Sequence, residues 1–276
     1  MKRNSWVSFA VCCVLFWPVT AISETAADPA EPNAVAVEDQ EPDADDLRDP
    51  EALAELKRAT DFLVAQPRFR FKARIFYDVI QDDGRRLQFE KSGEISLQRP
   101  NQLFVESRHD DGRWRKLWYQ GETLSIADLS KNRHTQVKAP PTIDETLDMV
   151  ETLIKEPQPL ADLLYSDLDH LDEQAIEADI VGDSLLQDVP CVHLAFRGET
   201  VDWQLWVEQG EEPFIRKVAV NYREAPGSPQ YVALINDWET PKRFNDDLFT
   251  FVVPQDSEWI KVLMPMPRKT EEGGQP

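Results

Sequence analysis

The sequence predicts a mainly β protein: an open, curved antiparallel sheet (half-barrel) of about eleven strands, with a short N-terminal helix and a helical insertion covering the concave face. Three observations predict it. Stretch after stretch alternates apolar and polar residues with period two, turn signals recur at intervals of about ten residues, and one central segment switches to the apolar period of a helix.

Two segments precede the folded part. Lys2 and Arg3 stand before an apolar run from Trp6 to Val19, and small residues follow at Ala21 and Ser23, the order of a secretory signal. The run is about 14 residues long, against the roughly 20 a spanning helix needs. Residues 1–23 are therefore expected to be a signal peptide cleaved near Ser23, placing the mature chain in a Gram-negative-type periplasm and not as an integral membrane protein. Neither Cys12 nor Cys13 stands where a lipid-anchored cysteine would. Cleavage leaves Cys191 alone, so no internal disulfide can form and the core must hold the fold.

From Glu24 to Glu51 there are 11 acidic residues against Arg48 alone, and no aromatic. Such a stretch cannot bury enough apolar surface to offset chain entropy, so residues 24–48 read as a disordered acidic leader. A single domain is expected over 49–260, followed by a flexible C-terminal tail over 261–276. The chain has a net charge of −21, which becomes −23 without Lys2 and Arg3. That surface repels phosphate backbones and excludes nucleic acid as a natural partner.

Within the domain, Asp49 can cap a helix that starts at Pro50, carries Leu53, Leu56 and Leu63, and stops at Pro67. The first strand then alternates Phe69, Phe71, Ala73, Ile75, Tyr77 and Val79 with polar residues. Asp82-Asp83-Gly84 turns it into a return strand over 87–97. Strands follow over 102–108, 113–119, 122–128 and 132–138, with Asp110-Asp111-Gly112 and Gln120-Gly121 as turns.

After Pro140-Pro141, Thr142 and Glu145 form a capping box, and Leu147, Val150 and Ile154 fall on one helical face before Pro157. A second short helix carries Leu160, Leu163 and Leu164. Strands resume over 174–181, 189–197, 201–208, 213–222, 230–239 and 249–253.

The segments Arg99-Pro100-Asn101, Trp118-Tyr119-Gln120-Gly121, Ala139-Pro140-Pro141-Thr142-Ile143-Asp144, Pro159-Leu160-Ala161-Asp162-Leu163-Leu164, Cys191-Val192-His193-Leu194, Val201-Asp202-Trp203-Gln204-Leu205-Trp206-Val207 and Asp237-Trp238 together resemble a family of predicted periplasmic proteins, domain of unknown function 2092, over roughly 51–254. Strand number, helical insertion and compartment are also similar to the outer-membrane lipoprotein carriers and their receptor. They are similar too to the periplasmic sensor domain that restrains an envelope-stress anti-sigma factor. These resemblances imply an open, strongly curved sheet with helices lying across its concave face; fold alone does not assign function.

A half-open barrel of this size has a concave face broader than its own side chains fill, and an apolar concavity can hold a lipid or acyl chain. The expected lining is Phe71, Ile75, Leu103, Val105, Trp203 and Leu205 from strands, with Leu147, Val150, Ile154, Leu160 and Leu164 from the helical lid. The expected ligand is a lipid, an acyl chain or a lipoprotein, bound by a carrier or sensor. The alternative is an envelope protein–protein interaction or regulatory module whose concave face is filled.

Catalytic and metal patterns are weak. Gly182-Asp183-Ser184-Leu185 matches a short esterase motif, but His193 follows too closely to serve as its base, and the tetrapeptide reads as a turn. The cluster Asp167, Asp169, His170, Asp172 and Glu173 lacks the ligand spacing of a calcium loop. Cys191 and His193 make two ligands where a structural zinc needs four. Six tryptophans, Trp114, Trp118, Trp203, Trp206, Trp238 and Trp259, could stack on sugars, but in alternating strands such residues are more often core or rim packing. No enzyme, cofactor or metal is expected.

Overall fold

The computed structural model describes residues 47–153 and 158–261. The expected signal peptide, nearly all of the acidic leader, Ile154 and the tail beyond Lys261 lie outside the described residues.

Helix α1 (Pro50–Ala65) begins where the sequence places it, with the Glu51 amide donating to Asp49 Oδ1 at 2.8 Å and proline in the first turn. Its buried stripe is Ala52, Leu56, Ala59 and Leu63. Arg48, just before it, bridges to Ala178 and pairs with Asp172.

A first meander follows: β1 (Arg68–Ile80), β2 (Arg86–Gln98), β3 (Gln102–His109), β4 (Trp114–Gln120), β5 (Thr123–Asp128) and β6 (Arg133–Lys138). Two of its hairpins use the same chemistry. At Asp82-Asp83-Gly84-Arg85 and Asp110-Asp111-Gly112-Arg113 the glycine takes a positive φ (81° and 87°). The arginine amide donates to the preceding aspartate in each, at 3.1 and 3.0 Å.

The helical insertion comprises α2 (Ile143–Leu153), α3 (Pro159–Asp162) and α4 (His170–Glu173). Thr142 opens α2: its hydroxyl accepts from the Glu145 amide at 3.3 Å and donates to the Glu145 carboxylate at 3.0 Å. A second meander completes the sheet: β7 (Glu177–Leu186), β8 (Val189–Arg197), β9 (Val201–Glu208), β10 (Ile215–Tyr222) and β11 (Gln230–Glu239). The two meanders join through antiparallel pairing of β1 with β11. With the short β12 (Glu258–Trp259) at one edge, the described residues form one open twelve-stranded sheet, ordered β12-β6-β5-β4-β3-β2-β1-β11-β10-β9-β8-β7.

Alternation sorts the two faces. Phe69, Phe71, Ala73 and Ile75 of β1 point into the core beneath the helices, whereas Arg70, Lys72 and Arg74 point outward to Glu239, Asp237 and Glu90. Such exposed pairs contribute at most about 1 kcal/mol each. The stabilising mass is the inward face, where Leu97, Tyr119, Leu194, Trp203, Ala233 and Ile235 are all buried with α1 and the insertion.

Two expectations are corrected. The strand expected over 249–253 does not form. Asn245 caps a short 3-10 helix (Asp246–Phe249), Asp247 N donating to Asn245 Oδ1 at 3.3 Å, and the chain then crosses the convex face. There Phe251 packs 5.2 Å from the Trp118 ring, and the chain then forms β12 (Glu258–Trp259), parallel to β6. The alternating Phe249 and Phe251 serve side-chain packing, not a ladder.

The Gly182–Leu185 tetrapeptide is not a turn but lies inside β7. The turn is Gln187-Asp188, both left-handed at φ 51° and 66°. Gly182, at φ 139°, sits at the register shift after Ile180, so this glycine marks a bulge.

Candidate functional site

Cross-strand pairing orders the inward side chains of β2–β6 into rows that run across the concave face. The first row is Leu97, Leu103, Tyr119, Leu124 and Val137, and its first four members are buried. The second is Ile95, Val105, Leu117, Ile126 and Thr135, in which Val105, Leu117 and Ile126 are only half-buried. The third is polar: Gly93, Ser107, Arg115, Asp128 and Arg133. The fourth pairs Lys91 with His109, and Arg113 stands beside it at the end of the hairpin.

Helix α2 runs along this gradient. At its start the Ile143 amide donates to the Pro100 carbonyl at 2.9 Å, beside the first row, where Tyr119 Oη donates to the Pro140 carbonyl at 2.8 Å. Beyond its end Gln158 Oε1 accepts from Lys91 Nζ at 3.0 Å, in the fourth row. Eleven helical residues cover about 16 Å, and three row steps along the strands cover about 20 Å. Leu147 is buried, while Met149 and Val150 are partly buried against the core.

The expected lining residues fall into two groups. Phe71, Ile75, Leu103, Leu147, Leu160, Leu164, Trp203 and Leu205 belong to one buried cluster. In it Phe71 lies 4.4 Å from the Trp238 ring and Trp203 stacks on Phe196 at 5.4 Å. Val105 and Val150 are partly buried at its margin. Sequence reasoning did not single out Leu117, Ile126 and Met149, nor the polar end. The signal was present: the two Asp-Asp-Gly hairpins fix the register, and counting back from Gly112 sets Leu117 opposite Val105.

The polar end is tightly linked. Tyr77 Oη lies 3.4 Å from both His109 Nδ1 and Arg113 Nη2, its ring stacks on Phe89 at 5.9 Å, and Lys91 Nζ stands 5.5 Å from the same ring. Burial holds the His109 imidazole below its ordinary pKa, and the charges of Arg113 and Lys91 push it further down. Deeper in, burial raises the phenols of Tyr222 and Tyr231, with the Asp162 carboxylate adding to both shifts.

The remaining motifs stand apart. The Ser184 hydroxyl is buried within β7 opposite Cys191. His193 is engaged elsewhere, 2.9 Å from Gln204 Oε1 and stacked 4.0 Å from Trp206. Asp167 and Asp169 line a shallow cleft with Thr60, Asp61 and Ser166. The six tryptophans are dispersed: Trp203 and Trp238 pack with core rings, Trp114, Trp118 and Trp206 lie on the convex face, and Trp259 is exposed in β12. No helix among the described residues is long and apolar enough to cross a membrane.

A family described as predicted periplasmic protein (DUF2092) has a model that matches residues 52–263. No curated protein matches the chain. Among solved structures, the lipoprotein LppX of Mycobacterium tuberculosis is similar at 11% identity and a TM-score of 0.45, over 71% of this chain and 100% of that one. LprF from Mycobacterium bovis aligns at 11% identity and 0.46, over 76% and 99%. The MucA/MucB complex of Pseudomonas aeruginosa aligns at 12% identity and 0.39, over 73% and 61%.

Proposed function

Taking as premise that this chain belongs to the DUF2092 family of predicted periplasmic proteins, we propose that it is exported, cut near Ser23, and works without catalysis as a carrier or sensor of a lipid, acyl chain or lipoprotein. The observation that carries the reading is the half-buried apolar row Val105, Leu117 and Ile126, next to the partly buried Met149 and Val150. Apolar side chains that helix and sheet leave short of full burial are surface an acyl chain covers favourably, at roughly 25 cal/mol per Å². After the cost of ordering chain and lid, micromolar affinity, about −8 kcal/mol, is the expected scale.

The test is displacement of an environment-sensitive acyl probe by unlabelled fatty acid, on mature protein whose N-terminus is read by intact mass. Leu117→Asp should abolish probe binding while the melting transition survives, because Leu117 lies outside the fully buried set. A wild-type protein that binds no acyl probe, and that yields no lipid on organic extraction from its own periplasm, would sink the reading. A stable protein partner recovered with such a lipid-free protein would favour the interaction-module alternative.

A further inference from the structure

We propose that the outer edge of β7 is a docking site for an extended, basic polypeptide segment of another protein, which adds to the sheet as a further strand. The inference goes beyond the lipid reading and does not depend on it.

The first argument is the pairing capacity of that edge. Among the described residues β7 stands at the margin of the sheet, with β8 as its one neighbouring strand. Its outer side already takes a short guest: Asp49 N donates to the Ala178 carbonyl at 2.8 Å, and Arg48 bridges Ala178 in the parallel sense. That contact fixes which backbone groups face outward. Ala178 does, so by alternation Ile180 does, and past the one-residue bulge at Gly182 so do Asp183 and Leu185. Pro190, which has no N–H, stands opposite Leu185, as a pair without ladder bonds permits. Extending the Arg48 pairing backwards in its parallel sense meets Glu177 and Ile176, so it leaves 180–186 uncovered. Val181 and Leu185 there are 57% and 68% exposed, apolar surface that a partner strand covers favourably.

The second argument is charge, which selects the occupant. Over 177–188 the strand and its turn carry Glu177, Asp179, Asp183 and Asp188 and no lysine or arginine. Two copies of β7 laid side by side therefore set acid against acid, and residues 24–46, acidic without a lysine or arginine, are turned away for the same reason. The strand additions at both margins of the sheet are charge-matched. Arg48, at Ala178, pairs with Asp172, and Arg133 of β6 pairs with Glu258 of β12 at 3.1 Å. Charge on an edge strand works against unwanted pairing; being of one sign here, it rejects copies of this strand and admits a cationic one. A segment alternating lysine or arginine with aliphatic residues brings cations to the acids, aliphatic surface to Val181 and Leu185, and backbone to backbone.

The experiment uses three ten-residue peptides, acetylated and amidated, on the full mature protein: alternating Lys-Val, alternating Glu-Val, and the Lys-Val peptide N-methylated throughout, which has no amide to donate. Lys-Val should bind at least about ten-fold more tightly than Glu-Val, the scale of two cross-strand charge pairs, and the N-methylated peptide should not bind. Lys-Val should also slow hydrogen exchange at the Ile180, Asp183 and Leu185 amides by at least about ten-fold. Asp179→Lys together with Asp183→Lys should reverse the preference in favour of Glu-Val, a swap that a merely structural role of these acids does not produce. Leu185→Pro removes an outward N–H while keeping the β8 pairing, and should weaken Lys-Val binding about ten-fold. Melting checks that the variants fold, and the wild-type comparison stands without them. Equal affinity for Lys-Val and Glu-Val, equal binding of the N-methylated peptide, or an unreversed preference in the folded double variant overturns the inference. Slow exchange at the three amides in peptide-free protein overturns it too, because the chain itself or a second copy then covers the edge. Acyl-probe displacement is read separately, so each of these failures leaves the lipid reading standing.

Discussion

Arg99 and Tyr165 hold the helical insertion to the sheet: Arg99 Nη2 donates to the Tyr165 carbonyl at 2.9 Å while Nη1 donates to that of Leu164 at 3.1 Å. One guanidinium at the β2–β3 corner thereby satisfies two carbonyls of the chain leaving α3. Burial lowers the Arg99 pKa below its ordinary value, so the group accepts a desolvation cost to make these bonds. Arg99→Met leaves both carbonyls without their charged donor. The expected loss is about 2–3 kcal/mol, from hydrogen bonds to a charged group, read as a lower urea midpoint with the slope unchanged. An unchanged midpoint would mean that the insertion is held by its leucines alone.

The β7–β8 turn is a site for stabilisation. Gln187 and Asp188 both adopt left-handed backbone (φ 51° and 66°) in a two-residue connection between Leu186 and Val189. That turn favours asparagine followed by glycine. Gln187→Asn with Asp188→Gly should raise stability by about 1 kcal/mol, seen as a higher melting temperature. A lower one would contradict the left-handed assignment.

His109 sets an acid-side dependence. Its folded pKa lies below the ordinary value of 6.5, through burial and then through Arg113 and Lys91. The unfolded chain therefore binds the proton more readily than the folded one. Stability is lost as pH falls through the unfolded value toward the folded one, and the loss is complete below both. His109→Gln removes this component, so the variant should lose less stability than wild type between pH 7 and pH 5. Parallel pH profiles for the two proteins would show that the imidazole feels no such field.

Much of the architecture was legible because local chemistry and global fold agree. Asp49-Pro50 capped α1, Thr142 and Glu145 opened α2, and the alternation from Phe69 to Val79 set β1 with the correct face inward. Reading failed where one residue type serves two purposes. Gly182 read as a turn because glycine permits left-handed backbone, but here that freedom makes a bulge inside a long strand. Phe249 and Phe251 alternate as strand residues do, yet Phe251 packs on Trp118 and Phe249 on Phe244 without a ladder.

The candidate site was legible only in part for a different reason. Alternation tells which face a residue occupies, and so found Val105 and Phe71 alike. Which of them stays half-exposed depends on what the helices cover, and that is set by tertiary contacts such as Gln158 with Lys91.

The seam between the two meanders has a consequence for how the molecule is made. Arg70 of β1 meets Glu239 of β11 across 169 residues of chain, while every other antiparallel neighbour in the sheet is also a neighbour in sequence. Each meander can zip from its own turns, but β1 must keep one edge open until the last long strand arrives. For a polypeptide made N-terminus first, β1 emerges early and its partner late. Closing so long a loop is the slow step expected for such topology. Until then the exposed edge of β1 is where a chaperone, or another nascent copy, would find this protein most vulnerable.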